Sequence, residues 1–245
     1  EVIGFRRGWQ GPLHFNPDDV QGSEAHLMRL NEDNVRGIDR TGGTVLHTSR
    51  TNPRLVPEAS LPDFLKGKFV ADADGMVDCT PHILRVMEHL GIDVMVTIGG
   101  DGTLNFSAHL HRQGMKIVAI PKTMDNDVFG TDYCIGFSTA VSRSVEHINA
   151  LRTSTGSHER IAVVELFGRH SGETALIASY LADVDRALIA GEADEHGRRR
   201  LGGIGEVLAA EITQRTGIGT IHQSLAYLMR AGAPDALDQM VAKSY

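Results

Sequence analysis

The chain has 245 residues, which is enough for one large domain or two lobes with a substantial core. Its formal charge is −7, from 24 basic against 31 acidic residues, and this acidic balance argues against nucleic-acid or membrane-surface binding. The two cysteines, Cys79 and Cys134, form no CxxC pair, and no apolar run approaches the roughly 20 residues of a membrane span. We therefore expect a cytoplasmic protein with reduced thiols.

The first third of the chain predicts few regular elements. Residues 1–5 are typical of a strand, and residues 16–40 are polar and mixed. The pattern over 41–52 indicates a short β-like stretch. Three prolines between positions 53 and 62 then interrupt the chain, which predicts an irregular loop.

From residue 80 onward, helical and strand-like apolar patterns alternate, which predicts an α/β fold with mainly parallel strands and right-handed crossovers. The segments over 92–98 and 116–120 are apolar almost throughout, which favours strands buried on both faces. The predicted elements are helices over 82–90, 103–112, 138–151, 173–182, 205–215 and 234–244, and strands over 92–98, 116–120, 161–166 and 186–190.

A glycine-rich string, GGDGT at 99–103, follows the first of these strands. In parallel α/β sheets, ligands bind beyond the carboxyl ends of the strands, where glycines let backbone N–H groups approach phosphate oxygens. Asp101 could bind Mg²⁺ there. A plain turn in which Asp101 caps the next helix is the alternative. We favour the phosphate-binding interpretation.

The string PKTMDND at 121–127 follows the next strand. Two carboxylates and an amide within three residues are hard to explain by folding alone, because clustered carboxylates repel one another. Phosphoryl transfer uses such groups, one carboxylate to deprotonate the attacking hydroxyl and another near the metal. A turn rich in Asp and Asn explains part of the string but not all of it.

Arginines surround the third strand end, after 161–166. Arg169 just beyond the strand can bind phosphate oxygens with its planar guanidinium. Arg160 opens the same strand, so within one subunit it lies at the opposite edge, and Arg230 lies in a Gly/Pro turn. Each is either an anion ligand or a surface residue. We expect the three strand ends to lie at one edge of the sheet.

Together these strings resemble the phosphofructokinase family, in family order and over most of the chain. The resemblance implies two Rossmann-like lobes, with residues 1–137 binding the phosphoryl donor and 138–245 the sugar phosphate. It further implies a glycolytic kinase that phosphorylates the 1-hydroxyl of fructose 6-phosphate. The matching segments are 41–53, 94–103, 121–140, 157–172 and 228–245.

The resemblance also implies a role for each matching residue. Asp125 would be the base, and Asp101 would bind Mg²⁺ with the help of Asp127. Arg160 and Arg230 would hold the 6-phosphate, often from a neighbouring subunit, which implies a homodimer or homotetramer with shared sites. The remaining residues are Thr123 and Arg169 at the transferring phosphoryl group, Met124, Phe167 and Gly168 at the sugar, and Arg50, Thr51, Gly100, Gly102, Thr103 and Lys122 at the donor.

Two residues bear on the identity of the donor. In the family, glycine at the position of Gly102 accompanies ATP, whereas aspartate there accompanies pyrophosphate. Lys122 is common in pyrophosphate users. We expect ATP, because a side chain that blocks the nucleotide is the more direct determinant, and pyrophosphate is the alternative.

Two segments of the family pattern have no counterpart in the sequence, and Gln239, Ala226 and Ala231 differ from the residues common in the family. The resemblance implies a strand and a glycine-rich phosphate loop before Glu1, and a longer segment with a further strand between Ala190 and Gly202. These departures leave a second hypothesis open, in which the protein is a non-catalytic regulatory subunit that binds a sugar phosphate. A third hypothesis, a lipid or NAD kinase that shares the GGDGT loop, is weakened by PKTMDND, which that loop does not require.

Overall fold

The computed structural model describes residues 1–168, 171–189 and 204–245. The chain divides into two compact units, Glu1–Pro121 and Lys122–Tyr245. The boundary inferred from the sequence lay after residue 137. Residues 122–136 belong to the second unit because Met124 packs into its apolar cluster and the Gly136 N–H donates to Asp238.

The first unit holds three pairs of strands and five α-helices, and the structure describes all of its residues. The antiparallel pairs are β1 (Val2–Phe5) with β2 (Leu27–Leu30) and β3 (Val56–Pro57) with β4 (Met76–Val77), and the parallel pair is β5 (Met95–Gly99) with β6 (Ile117–Pro121). The helices are α1 (Gln10–His14), α2 (Val20–Ser23), α3 (Glu32–Val35), α4 (Thr80–His89) and α5 (Asp101–Arg112). The predicted helices over 82–90 and 103–112 are confirmed as α4 and α5.

The core of the first unit lies between α4, α5 and the chain around α1. Ile83 and Val86 of α4 and Leu110 of α5 are completely buried. The Trp9 ring meets the Phe106 ring edge-on, with centroids 4.7 Å apart. Burial of large apolar side chains is the main favourable term in folding, so this cluster stabilises the platform on which β5 and β6 lie.

The parallel pair β5–β6 is covered on one face only. Helix α5 packs against both strands, and Met95 and Thr97 are buried beneath it. The alternate residues Val96 and Ile98 are 54% and 59% exposed. The prediction of burial on both faces is therefore wrong for the described chain, because apolar residues permit a second cover but tertiary structure has to supply it.

The second unit contains a parallel pair of its own, β7 (Ile161–Glu165) with β8 (Thr220–Ser224). Helix α8 packs on both strands. Strand β8 was not predicted, because its sequence TIHQS has little apolar character and gains a strand conformation by pairing with β7. The α-helices in the described part of this unit are α6 (Phe137–Ser157), α7 (Glu173–Leu181), α8 (Gly205–Thr216) and α9 (Ala236–Ser244).

Two predicted strands are wrong. Residues 41–52 form turns and irregular chain, because the Leu46 N–H donates to the Thr44 hydroxyl at 3.2 Å and His47 has a φ of 61°, which no strand contains. Residues 186–189 are irregular, and residue 190 lies outside the described chain. Of the described helices, none combines the length and the apolar character that crossing a membrane requires.

Candidate active site

The glycine-rich loop joins β5 directly to α5. A Cβ atom on Gly99 would lie 2.6 Å from the Thr103 side chain, so only glycine lets α5 begin this close to the strand. Gly100 precedes the helix and has no side chain to cap it. The N–H groups of the first turn are therefore available to an anion, and Asp101 is exposed beside them.

The space above Gly102 is open. Apart from its chain neighbours and the backbone of its own helix, a Cβ atom built on this residue meets nothing within 4 Å. A ligand can therefore approach the backbone of the first turn of α5 from this side.

The loop that follows Pro121 is held by hydrogen bonds from its own residues and from the start of α7. The Asp125 N–H donates to the Thr123 hydroxyl at 3.2 Å. The hydroxyl of Ser171 donates to the Asp125 carbonyl at 2.5 Å, and the buried hydroxyl of Thr174 donates to the Met124 carbonyl at 2.8 Å. Asp125 as a whole residue is only 3% exposed, so the loop holds it in a fixed and largely desolvated position.

Asn126 shapes this loop through its side chain. Its φ of 50° lies in the left-handed region, which asparagine tolerates better than most residues. Its amide oxygen accepts from the Cys134 N–H at 2.8 Å, and its amide nitrogen donates to Glu173 Oε2 at 2.7 Å and to the Asp132 carbonyl at 3.3 Å. Asn126 thus links the two parts of the loop, around residue 126 and around residues 132–134, to Glu173 at the start of α7.

Two cationic side chains, Lys122 and Arg230, form a cationic corner beside the loop in the second unit. The Arg230 guanidinium sits over the Phe167 ring at 4.5 Å and near the Tyr227 ring at 5.3 Å, and its Nε donates to Met124 Sδ at 3.0 Å. Part of the Lys122 side chain reaches solvent, yet partial burial and then the charge of Arg230 lower the pKa of its ammonium group. An anion bound here would relieve this repulsion.

The other predicted arginines do not join this corner. Arg160 precedes β7, at the opposite end of the strand from Phe167, and is exposed. Arg169 lies outside the described residues. Arg50 and Thr51 belong to the irregular segment between β2 and β3 of the first unit, where the Thr51 N–H donates to the Ser49 hydroxyl at 3.4 Å.

The prediction that three strand ends share one edge is wrong in part. The parallel register places Gly99 opposite Pro121, so the first two loops leave neighbouring ends of β5 and β6. The third loop, which contains Phe167 and Gly168, follows β7, and β7 pairs with β8 in the separate sheet of the second unit. Periodicity shows that strands exist but not which strands pair, and this is why the sequence suggested a single sheet.

The described residues include no ready-made metal cage. Within 1–168, 171–189 and 204–245, no group of three or more His, Cys, Asp and Glu side chains lies close enough to hold a metal ion. Mg²⁺ needs no such cage, since it commonly uses one or two carboxylates, several waters and the phosphates of a substrate. The carboxylate of Asp101, exposed in the first turn of α5, fits this mode of binding.

Two residues that hold the loop from outside it were missed by the sequence analysis. Ser171 and Thr174 donate to the backbone carbonyls of Asp125 and Met124. The available signal was the string SGET at 171–174, in which hydroxyls precede a helix and can bond to nearby backbone. Their target carbonyls lie nearly fifty residues away in the chain, and no local pattern identifies such partners.

The fold and these loops together define the class of α/β phosphotransferases. The family model described as phosphofructokinase matches residues 1–196. The chain belongs to the phosphofructokinase family, and the prediction of this family and of its α/β fold is confirmed.

The curated relatives include enzymes with either phosphoryl donor. The chain is 33% identical to the pyrophosphate–fructose 6-phosphate 1-phosphotransferase of Amycolatopsis mediterranei over 287 positions, covering 100% of the chain and 75% of that protein. It is 31% identical to the ATP-dependent 6-phosphofructokinase 3 of Streptomyces coelicolor, covering 100% of the chain and 76% of that protein. The first alignment extends over 287 positions and the chain has 245 residues, so at least 42 positions of that relative have no counterpart here.

Solved structures share the fold at low sequence identity. The T-state phosphofructokinase of Pichia pastoris superposes with a TM-score of 0.76 at 18% identity, over 98% of this chain and 26% of that one. The pyrophosphate-dependent phosphofructokinase of Marinobacter aquaeolei gives a TM-score of 0.71 at 19% identity, over 98% of this chain and 64% of that one. The chain thus spans about a quarter of the first structure and just under two thirds of the second.

Proposed function

We propose that the protein transfers a phosphoryl group to the 1-hydroxyl of fructose 6-phosphate, with ATP as the donor and pyrophosphate as the alternative. The observation that carries this proposal is the anchored loop 121–127, which presents the largely desolvated Asp125 beside the cationic corner of Lys122 and Arg230. Relatives with both donors in their names support the reaction class.

Asp125 is the proposed general base. A carboxylate that removes a proton from a hydroxyl has to be held in position, and the anchored backbone on both sides of Asp125 supports this role. Thr123 and Arg169 are proposed to steady the transferring phosphoryl group, as the family resemblance implies.

The cationic corner is the proposed anion site. Phe167 packs on the face of the Arg230 guanidinium and Met124 accepts from its Nε, so the other N–H groups at its edge can donate to a phosphate. Phe167 and Gly168 are proposed to contact the sugar.

Arg160 lies at the far end of β7, about 16 Å away for a five-residue strand, so it cannot bind the same phosphate within one chain. We therefore propose that Arg160 acts in a neighbouring copy and that the protein is a homo-oligomer.

The donor is proposed to bind at the start of α5 in the first unit. Gly100, Gly102 and Thr103 supply backbone groups there, with Arg50 and Thr51 flanking the nucleotide. The open space above Gly102 supports ATP, because no side chain obstructs it. Lys122 supports pyrophosphate, because its ammonium group beside the charge of Arg230 suits a compact anion.

Mg²⁺ is the proposed cofactor, and Asp101 and Asp127 would hold it. When bound, the ion neutralises negative charge on the phosphoryl donor. Asp101 is well placed for this, because it lies in the exposed first turn of α5. A cytoplasmic location remains a proposal.

A coupled assay with fructose 6-phosphate and Mg²⁺, run in parallel with ATP and with pyrophosphate, tests the proposal. We expect turnover with ATP. Replacing Asp125→Ser should lower kcat by about 10³-fold or more and leave sugar binding within a few-fold, because the base acts only in the transition state. Turnover with neither donor contradicts the proposal, and turnover with pyrophosphate alone selects the alternative donor.

A second candidate function is a non-catalytic sugar-phosphate-binding subunit. The 42 alignment positions without a counterpart favour it, because the cationic corner could persist while other parts of a catalytic site are absent. Titration calorimetry distinguishes the two functions. Binding of fructose 6-phosphate without nucleotide binding or turnover supports the subunit, whereas measurable turnover excludes it.

A further inference from the structure

The carboxylate of Asp238 lies at the start of α6, although Asp238 itself belongs to α9. It is 1% exposed. One oxygen accepts from the Gly136 N–H at 2.8 Å, and the other accepts from the Thr139 N–H at 2.8 Å and from the Thr139 hydroxyl. Asp238 therefore caps the N-terminus of α6 from another helix, in the same way that an N-cap side chain caps its own helix.

Helix α6 needs a cap from elsewhere. The residue at its N-cap position is Gly136, which has a φ of 100° and no side chain to cap the helix. The first turn of this 21-residue helix contains no acidic residue. A buried carboxylate is costly unless donors surround it, so the two N–H groups and Asp238 stabilise one another.

The capped end of α6 is also the end of the site loop. Gly136 follows Ile135, which forms a parallel β-bridge with Lys122 at the start of the loop. One residue earlier, the Cys134 N–H donates to the side chain of Asn126. The segment 134–136 thus contacts the loop on both sides of Asp125, and Asp238 fixes the last residue of that segment.

Tyr133 of the same loop lies close to these acidic groups. Burial first, and the charges of Asp238 and Asp235 in addition, raise the pKa of its phenol. Its ring packs edge-on against Phe137 of α6, with centroids 5.8 Å apart. The loop, the start of α6 and the start of α9 therefore form one packed and hydrogen-bonded cluster.

We propose that Asp238 is a positioning residue for the loop 122–136, and that helix α9 is thereby coupled to Asp125. Asp238 acts through Gly136 and the segment before it. The inference rests on the proposed phosphotransferase function, because it assigns to the loop the base of that reaction.

Asp235 supplies a matched control on the same helix. Its carboxylate accepts from the hydroxyls of Ser138 at 2.5 Å and Ser142 at 3.0 Å, and from the Asp238 N–H at 2.9 Å. Burial alone would raise the pKa of Asp235, but these hydrogen bonds outweigh it and lower the pKa. Like Asp238, Asp235 therefore accepts hydrogen bonds that link α9 to α6. Its donors are side chains of α6 and a backbone N–H of α9, and none belongs to the backbone of the loop.

The experiment compares the full chain with Asp238→Ala, Asp238→Asn and Asp235→Ala, by amide hydrogen exchange with mass spectrometry and by kinetics. In Asp238→Ala, exchange over 122–136 should rise about tenfold, and kcat should fall about tenfold with the KM for fructose 6-phosphate within about threefold. Asp238→Asn keeps one acceptor oxygen and should show about a threefold change in each. Asp235→Ala removes the bonds to Ser138 and Ser142 and also the cap of α9, so it should change loop exchange and kcat by about threefold or less, clearly below the effect of Asp238→Ala.

Two results overturn the proposal. One is a folded Asp238→Ala whose loop exchanges at the wild-type rate, and the other is an Asp235→Ala that loosens the loop equally. If Asp238→Ala does not fold, Asp238→Asn decides, and wild-type exchange in its loop overturns the proposal. If the wild type turns over neither donor, the proposed reaction fails, while loop exchange still decides whether Asp238 holds the loop.

Discussion

Replacing Gly102→Asp places a carboxylate where the structure leaves the first turn of α5 open. The substitution should not harm the fold, since a Cβ at this position meets nothing within 4 Å beyond its chain neighbours and the backbone of its own helix. Aspartate is a better helix former than glycine by only about 0.1–0.3 kcal/mol, and an acidic side chain in the first turn adds about 0.3–1 kcal/mol. We therefore expect an unfolding free energy equal to or slightly above that of the wild type.

The substitution should strongly lower kcat/KM for ATP, although it leaves the fold stable. A carboxylate about 4–6 Å from a nucleotide phosphate, at an effective dielectric constant of about 20, costs about 3–4 kcal/mol. This predicts a loss of kcat/KM for ATP of about 10²- to 10³-fold. Gly102→Ala is the control, because it adds the Cβ atom without the charge and should lose less than about tenfold.

The assay is a coupled measurement of fructose 1,6-bisphosphate formation with ATP and with pyrophosphate, beside urea unfolding of each variant. The reasoning is refuted if Gly102→Asp keeps its kcat/KM for ATP within about threefold of the wild type while remaining folded. An equal loss in Gly102→Ala refutes the electrostatic part and assigns the effect to volume.

Three further predictions concern stability. Thr174→Val removes the donor to the buried Met124 carbonyl, so urea unfolding should show a loss of about 1–3 kcal/mol. Gly205→Ala would place a Cβ 2.3 Å from His222 Nε2, and thermal unfolding should show a loss of about 1–3 kcal/mol, whereas an unchanged melting temperature contradicts this packing. Burial lowers the pKa of His82 from its ordinary value of 6.5, so its contribution to the unfolding free energy is fully present above pH 6.5 and is lost as the pH falls through the folded pKa. Urea unfolding at several pH values should show this loss in the wild type, and it should be smaller in His82→Gln.

Local patterns predicted the helices and strands whose sequences have a clear apolar period and clear stop signals. The apolar spacing and the proline near its start predicted α4, and alternation with glycine stops predicted β5, α5 and β6. Strand β8 could not be predicted in this way, because the pattern of its side chains is weak and its conformation depends on pairing with β7.

The sequence predicted the reactive residues of the candidate site but not the residues that hold its loop in place. Carboxylates and glycines at strand ends are visible as strings, and Asp125 and Asp101 were chosen from them. The hydroxyl of Thr174 and the carboxylate of Asp238 hold the same loop from positions about 50 and 100 residues further along the chain. Such partners meet only after folding, and their spacing in sequence has no period that identifies them.

The sequence by itself determined the family, the reaction class and the residues that could take part in the chemistry. Each of these is visible in short sequence motifs, which can be recognised without the fold. The tertiary structure alone decided that β7 pairs with β8, a strand with no clear sequence pattern, and that α8 packs on this pair. It also decided that α9 caps α6 beside the loop of Asp125. The physical reason is that strand pairing and buried hydrogen bonds join residues distant in sequence, and only the folded backbone brings their donors and acceptors within 3 Å or so of each other.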